Sequence, residues 1–398
     1  MRESIEAVLP EAAVLRALNK TTLTGRVRLV AVGKAAWRMA KAVSDALGDR
    51  IEKGVVITKY GHSMGRIANF DCFEAGHPVP DENSFRAADA ALALVGGLEP
   101  DDTVLFLLSG GGSALFEKPL VSPEELMSVN SQLLACGADI VEINTIRKRL
   151  SAVKGGRFAL ACLPARVETV VLSDVLGDRL DTIASGPAYP DGSTAEDAAR
   201  IVEKYGLRLS KDALELLKRE TPKELDNVRT RITGSVRELC AAAASACERR
   251  GFRPVVLTDC LCCEAREAGM ILASKVREHA NDGESLAFIA GGETVVRLTG
   301  NGLGGRNQEL ALSAARFIDG LENAAVFSFG SDGTDGPTDA AGGYVDGDTL
   351  KELKKHGVDI DSVLMENDSY HALMKIGGLI KTGPTGTNVN DVSIGLIL

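Results

Sequence analysis

The sequence predicts a two-domain α/β protein, with a mainly parallel sheet in the first domain and a mixed sheet in the second. Three observations carry this. Continuous apolar runs alternate with helical patterns through the first half, as strands buried on both faces require. A polar stretch near the middle separates two such series. With 398 residues and 45% hydrophobic content, the chain is large enough for two cores.

In the first series, Val27–Val32 is an apolar strand ending in Gly33, and the helical pattern AAWRMAKAVSDAL follows. Val55–Thr58 is a short strand and Phe85–Val95 a helix. Thr103–Leu108 is a buried strand running into a glycine loop, and Glu124–Cys136 is helical. Glu168–Leu172 is a strand and Ala195–Tyr205 a helix. The opening MRESIEAVLPEAAVLRAL reads as one amphipathic helix carrying acids, unlike a signal peptide. Residues 220–233 are polar and irregular, placing the domain boundary at 1–233 and 234–398. Beyond it come helix Val236–Arg250, strand Pro254–Thr258, helix Glu264–Ala280 and strand Leu286–Ala290. Thr294–Leu298 follows so closely that a hairpin-like pairing is expected. Helix Asn307–Ile318, strand Ala324–Phe329 and a terminal strand Val392–Leu398 complete the second series.

Bulk properties exclude several classes. The net charge of −10 argues against a nucleic-acid binder. No run reaches the roughly 18 apolar residues of a membrane span. The chain has 42 glycines and only 4% aromatics, which suits backbone-lined anion loops better than a base-stacking surface. Most of the eight cysteines sit in apolar or helical surroundings and read as reduced core residues of a cytoplasmic protein. Cys260 and Cys263 form a CxxC, but no second pair follows, and the five histidines are scattered.

Seven segments carry candidate chemistry. Gly33-Lys34 stands where the first strand gives way to a helix, so Lys34 either meets an anion there or is a surface lysine beside a tight turn. No GxxxxGK[ST] occurs anywhere. Ser109, Gly110, Gly111, Gly112 and Ser113 follow a buried strand, where backbone amides can converge on a phosphate or carboxylate. The competing reading is a turn chosen for packing. No GxGxxG accompanies it, which weakens a dinucleotide reading. Residues 144–157 crowd Arg147, Lys148, Arg149, Lys154 and Arg157. A solvated helix face explains such a run, but Lys154 before Gly155-Gly156 is also a candidate ligand contact.

Ser173-Asp174 ends another strand, followed by Gly177-Asp178 and Ser185-Gly186-Pro187. Asp174 is either a helix cap or a contact for a substrate hydroxyl or hydrated Mg²⁺. Glu293 follows Gly291-Gly292, and Gly304-Gly305-Arg306-Asn307 opens a helix. A guanidinium in the first turn opposes the helix dipole, which suggests that Arg306 grips phosphoryl oxygens. Asp332, Asp335 and Asp339 crowd a strand end among glycines, as a Mg²⁺ or hydroxyl site would. EF-hand spacing fails there for lack of a terminal Glu. Finally, TGPTGTNVND at 382–391 offers Asn388 and Asp391 to a nucleotide or a closing loop. None of the five histidines except His77 lies near these segments in sequence, which disfavours a Ser-His-Asp hydrolase.

Together, VAVGKAA, GHPVPDENS, LLSGGGSAL, NTIRKRLSAVKGGR, LSDVLGDRLDTIASGP, GGETVV, GLGGRNQELAL, SDGTDGPTDAAGG and TGPTGTNVNDV resemble the class II glycerate kinase (glycerate 2-kinase) family, with its C-terminal MOFRL domain at about 286–392. The resemblance implies a Rossmann-like N-terminal domain, a smaller C-terminal α/β domain and an active site in the cleft between them. It implies ATP-dependent phosphorylation of D-glycerate to 2-phosphoglycerate, with ATP and Mg²⁺. Lys34, Glu293, Arg306 and Asp332 fall on the family's site motifs. Asp332 and Asp174 are the expected metal holders. Two rivals stand beside this: an NAD(P)H-dependent hydroxypyruvate reductase, and a non-catalytic sugar-acid or nucleotide-binding protein. Small-molecule partners are expected, with no nucleic acid and no membrane, and a homodimer is compatible with the sequence.

Overall fold

In a computed structural model, the described residues are all of the chain except Leu176, Asp178 and Arg179. They form two compact units, Ala13–Thr233 and Met1–Ala12 together with Gly234–Leu398.

The Ala13–Thr233 unit is built on six strands: β1 (Val27–Val32), β2 (Ile51–Lys59), β3 (Phe70–Ala75), β4 (Thr103–Leu108), β5 (Arg166–Val171) and β6 (Val228–Ile232). All pair in parallel, in the order β3-β2-β1-β4-β5-β6. This is the doubly wound dinucleotide-fold order, whose direction of winding reverses between β1 and β4. Loops after these two strands therefore diverge and leave a crevice at their carboxyl ends. β4 is buried along its whole length, as its unbroken apolar run requires. Below it, Phe106, Phe116 and Phe158 pack with ring centroids 4.6 to 6.1 Å apart. Helix termini follow sequence signals. Asp81 caps Glu82–Leu94 in a capping box with Ser84, and Ser122 caps Pro123–Ala135.

Strand β6 corrects the expectation of an irregular stretch. VRTRI reads as polar because it is an edge strand, where alternate residues face water and one arginine, Arg231, pairs with Glu168 of β5 at 2.7 Å.

The other unit holds β7 (Arg253–Leu261), β8 (Leu286–Gly292), β9 (Ala324–Gly330), β10 (Gly342–Asp346), β11 (Leu379–Ile380) and β12 (Asp391–Ile397). Their order is β11-β10-β9-β12-β8-β7, and only β7 and β8 run parallel, so the sheet is mixed as expected. The hairpin at Thr294–Leu298 does not form. β7 and β12 occupy both edges of β8, and residue Val295 makes only an isolated bridge to Glu264.

The opening residues also differ from expectation. Pro10 splits the amphipathic stretch into helices Arg2–Ala7 and Pro10–Leu18. Residues 1–12, expected in the first domain, pack with the second unit. Glu3 pairs with Arg249 and Arg250, and Thr387 Oγ1 donates to the Val8 carbonyl at 3.0 Å. Among the cysteines only Cys162, Cys240 and Cys247 are buried; Cys72, Cys136, Cys260 and Cys262 are exposed, contrary to the core reading. Among the described residues, no helix is long and apolar enough to cross a membrane.

Candidate active site

Two clusters of the predicted residues form, one on each unit. The first lies at the carboxyl ends of β1 and β4, at the reversal of strand order. Lys34 N–H donates to the Gly110 carbonyl at 2.9 Å, and Ala35 N–H donates to Ser109 Oγ at 3.1 Å. These bonds lace the turn after β1 to the glycine loop after β4. Ser109 is therefore buried and engaged with the backbone. Gly110 adjoins Asp174: a Cβ there would stand 2.0 Å from Asp174 Oδ2. Gly111 has φ +89°, and a Cβ on it would meet the His77 ring at 3.1 Å and Lys34 Cγ at 3.3 Å. Only glycine satisfies both demands. Gly112 opens a short helical turn, against Ala184. Ser113 Oγ lies 3.1 Å from Ser185 Oγ, which donates to Asn144 Oδ1 at 2.9 Å.

Sequence reasoning passed over Ser185, Asn144 and His77 as site residues. Ala184 and Ser185 are non-glycine residues at φ 52° and 59°, and strain of that kind gathers at functional sites. The signals available were SGP and GHPVP, whose partners lie far away in sequence.

Lys154, a candidate ligand contact from its sequence, faces the protein interior. Its ammonium is buried, donates to the Ser113 and Phe116 carbonyls at 2.8 Å each, and pairs with Glu117 at 3.1 Å. All three protons are thus committed to holding the glycine loop from behind. Burial pushes its pKa down. The neighbouring basic run is likewise internal. Lys148 and Arg149 are buried and converge on Asp191, which Thr221 also donates to at 2.7 Å. Asp178 lies outside the described residues.

The second cluster sits where β8 and β9 end and β12 begins. Antiparallel pairing brings Asp391 opposite both Gly292 and Gly330. Arg306 opens helix Arg306–Ile318 and reaches Asp391 with two bonds, Nε to Oδ2 at 2.6 Å and Nη2 to Oδ1 at 3.1 Å. Its Nη1 donates to Glu293 Oε1 at 2.5 Å. Asp391 is nearly buried, and burial pushes its carboxyl up to about 6. The flanks of Gly330 carry two acids, with Asp332 Oδ1 at 3.1 Å and Asp391 Oδ1 at 3.4 Å from where a Cβ would stand. Asp332 is half-buried and accepts from Thr334 N–H at 2.9 Å.

Asp335 and Asn307, expected at the ligand, serve the helix instead. Gly305 takes the N-cap without a side chain, and a Cβ there would strike Asp335 Cγ at 2.3 Å. Asp335 fills that space and accepts from the backbone N–H of Asn307 and Gln308 at 3.1 and 2.8 Å. Asn307 Nδ2 also donates to Asp335 Oδ1, and Asn307 Oδ1 accepts from Ser328 Oγ. Asn388 is exposed and accepts from Asn390 N–H at 3.3 Å. Its loop clasps the strand end: Thr385 Oγ1 donates to the Ser331 carbonyl at 2.6 Å, and Val389 N–H donates to Ser331 Oγ at 2.9 Å. Asn390, which sequence reasoning missed, is buried at φ 66° with no partner for its Nδ2.

No group of three or more His, Cys, Asp or Glu side chains forms a metal cage among the described residues. Mg²⁺ does not need one, because it is commonly held by one or two carboxylates with phosphates and water. The Asp332 carboxylate, half-buried beside Asp391, fits that demand.

Comparison with known proteins gives these clusters a family. Residues 1–218 match a domain of unknown function, DUF4147, and residues 286–391 match the MOFRL family. A D-glycerate 2-kinase of Thermotoga maritima is 57% identical, covering 100% of this chain and 97% of the relative. A glycerate 2-kinase of Pyrococcus horikoshii is 42% identical over 99% of this chain and 95% of its own length. The crystal structure of a glycerate kinase from Thermotoga maritima superposes with a TM-score of 0.96 at 57% identity, covering 100% of this chain and 97% of that one. The chain belongs to the glycerate kinase family that carries a C-terminal MOFRL domain.

Proposed function

We propose that this protein is a glycerate 2-kinase that transfers the γ-phosphoryl group of ATP to D-glycerate, forming 2-phosphoglycerate. The observation that carries the reading is Arg306, a guanidinium fixed by two bonds to Asp391 next to the Asp332 carboxylate. Phosphoryl transfer needs alignment and charge neutralisation more than covalent help. A fixed arginine beside a metal-holding acid supplies both. The names of the Thermotoga maritima and Pyrococcus horikoshii relatives support the same chemistry.

In this proposal Lys34 and Arg306 neutralise the triphosphate and the group in flight. Mg²⁺ would be held by Asp332 and would screen the phosphate charges when bound. Asp332 is also the first choice to accept the glycerate hydroxyl proton, with Glu293 second. The Ser109–Ser113 loop holds a carboxylate or phosphate. Reading residues of both units into one turnover is part of the proposal. The NAD(P)H reductase reading is weakened because the first βα turn reads Gly33-Lys34-Ala35-Ala36 rather than GxGxxG, and the GNGLGG at 300–305 does not directly follow a strand.

A coupled ADP-release assay with D-glycerate tests the reading directly. Lys34→Ala and Arg306→Ala should each lower kcat/KM by roughly a thousandfold. Near-normal turnover in either variant removes that residue from the reaction. Oxidation of NAD(P)H by hydroxypyruvate without ADP formation would replace the kinase with the reductase. Tight glycerate binding with no turnover would instead favour a binding protein. Proton-coupled ³¹P NMR of the product distinguishes a phosphate on O2, beside a methine, from one on O3, beside a methylene.

A further inference from the structure

The glycine loop has a flank that none of the assigned roles uses. A side chain at Gly111 would stand 3.1 Å from His77 Cδ2, 3.2 Å from His77 Nε2 and 3.3 Å from Lys34 Cγ. The absent Cβ leaves a notch with an imidazole nitrogen on one wall and a lysine stem on the other. Lys59, at the end of β2, and His62, just beyond it, bear on the same imidazole. His62 is tied in place, with Nδ1 3.1 Å from the Lys34 carbonyl; a carbonyl only accepts, so His62 Nδ1 carries the proton. Across the loop, Asp174 adjoins Gly110, and Glu74 accepts from Ser63 N–H at 3.0 Å.

We propose that His77 is an oxyanion-binding residue: Nε2 donates to a carboxylate or phosphate oxygen lodged in the Gly111 notch beside Lys34. The oxyanion comes from one of two sources, the carboxylate of D-glycerate or a phosphate of the nucleotide. This deepens the kinase reading and rests on it for the identity of the ligands, although the notch itself does not. Burial, and then the charges of Lys34, Lys59 and His62, holds the imidazole pKa below its ordinary 6.5. A bound oxyanion offsets the positive charges around the ring and favours the imidazolium. His77 therefore takes up a proton as the ligand enters, and the ligand gains a charge-assisted hydrogen bond.

The test measures binding rather than turnover. D-glycerate, ADP and inorganic phosphate are titrated separately by calorimetry at pH 7.0, in buffers of different ionisation enthalpy. The wild type should take up protons with one of the first two ligands, which identifies the source, and His77→Gln should abolish that uptake. Affinity for the same ligand should fall roughly ten- to a hundredfold, the worth of one hydrogen bond to a charged group. In the wild type, NMR titration of the His77 ring should show its pKa rising on ligand addition, which needs no variant to fold. His77-dependent uptake with phosphate, but no binding of D-glycerate, would retain the notch and reject the kinase reading. Binding of all three ligands with no proton uptake and an unmoved His77 resonance would overturn the proposal.

Discussion

Arg306 and Asp391 form a two-point ion pair, Nε to Oδ2 at 2.6 Å and Nη2 to Oδ1 at 3.1 Å, although 85 residues separate them in the chain. The planar fork of arginine matches the carboxylate, so the pair fixes orientation as well as charge. Asp391→Asn keeps the shape but removes the charge. Burial already disfavours the charged carboxylate, so the neutral Asn should change stability by no more than about 1 kcal/mol. Urea unfolding measures it. A guanidinium released from Asp391 should also lower kcat, with little change in KM for D-glycerate. Unchanged kcat would remove the ion pair from turnover.

The same carboxyl predicts opposite trends of stability and activity with pH. Burial raises it from 3.8 to about 6. The folded state therefore binds this proton more tightly than the unfolded chain does. Its contribution to stability is full below pH 3.8 and is lost as pH rises through 6. Activity runs the other way, because only the ionised carboxylate orients Arg306 with its charge. The acid limb of kcat/KM should fall near pH 6 while the protein remains folded. The Asp391→Asn variant should lose that limb. An unchanged limb in the variant would assign it to another group.

Lys154 should prove structural. Lys154→Met leaves Glu117 buried without its cation and releases the Ser113 and Phe116 carbonyls. The expected loss is about 3–5 kcal/mol. Removing the acid as well, in Lys154→Met with Glu117→Leu, should recover part of it, since no uncompensated charge then remains. In whatever fraction folds, KM for ATP should stay near normal, because the ammonium points at the protein. A large KM increase with unaltered stability would return Lys154 to the ligand.

The legible part of the fold was its buried strands and glycine turns. Thr103–Leu108 is apolar on both faces because both faces are covered, so period-2 alternation disappears and the run itself is the signal. Val228–Ile232 was illegible for the converse reason: an edge strand with Arg229 turned to water and Arg231 paired to Glu168 reads like a loop. At the site, Arg306 betrayed itself by opposing the helix dipole, and Asp391 and Glu293 were legible as candidates, but their pairing with Arg306 became visible only in the fold. Asp335 looked like part of a metal site because three acids crowd one loop. Its true partner is a helix start whose own cap residue, Gly305, has no side chain. Lys154 resembled an anion contact because sequence does not reveal which carbonyls converge on it.

Ser185 separates two effects that usually travel together. Its hydroxyl touches Ser113 Oγ and Asn144 Oδ1, while its backbone sits at φ 59°, strained for any residue with a Cβ. Ser185→Ala and Ser185→Gly both remove the hydroxyl, freeing the Ser113 side chain at the edge of the glycine loop. Both should reduce kcat/KM roughly tenfold, the worth of one hydrogen bond. Only glycine also relieves the backbone, so the Gly variant should be more stable than the Ala variant by about 1 kcal/mol. Thermal unfolding compares the stabilities, and steady-state assays compare the activities. Equal activity losses with unequal stabilities would assign the hydroxyl to the site and the conformation to the fold. Unchanged activity in both variants would remove the hydroxyl from the site.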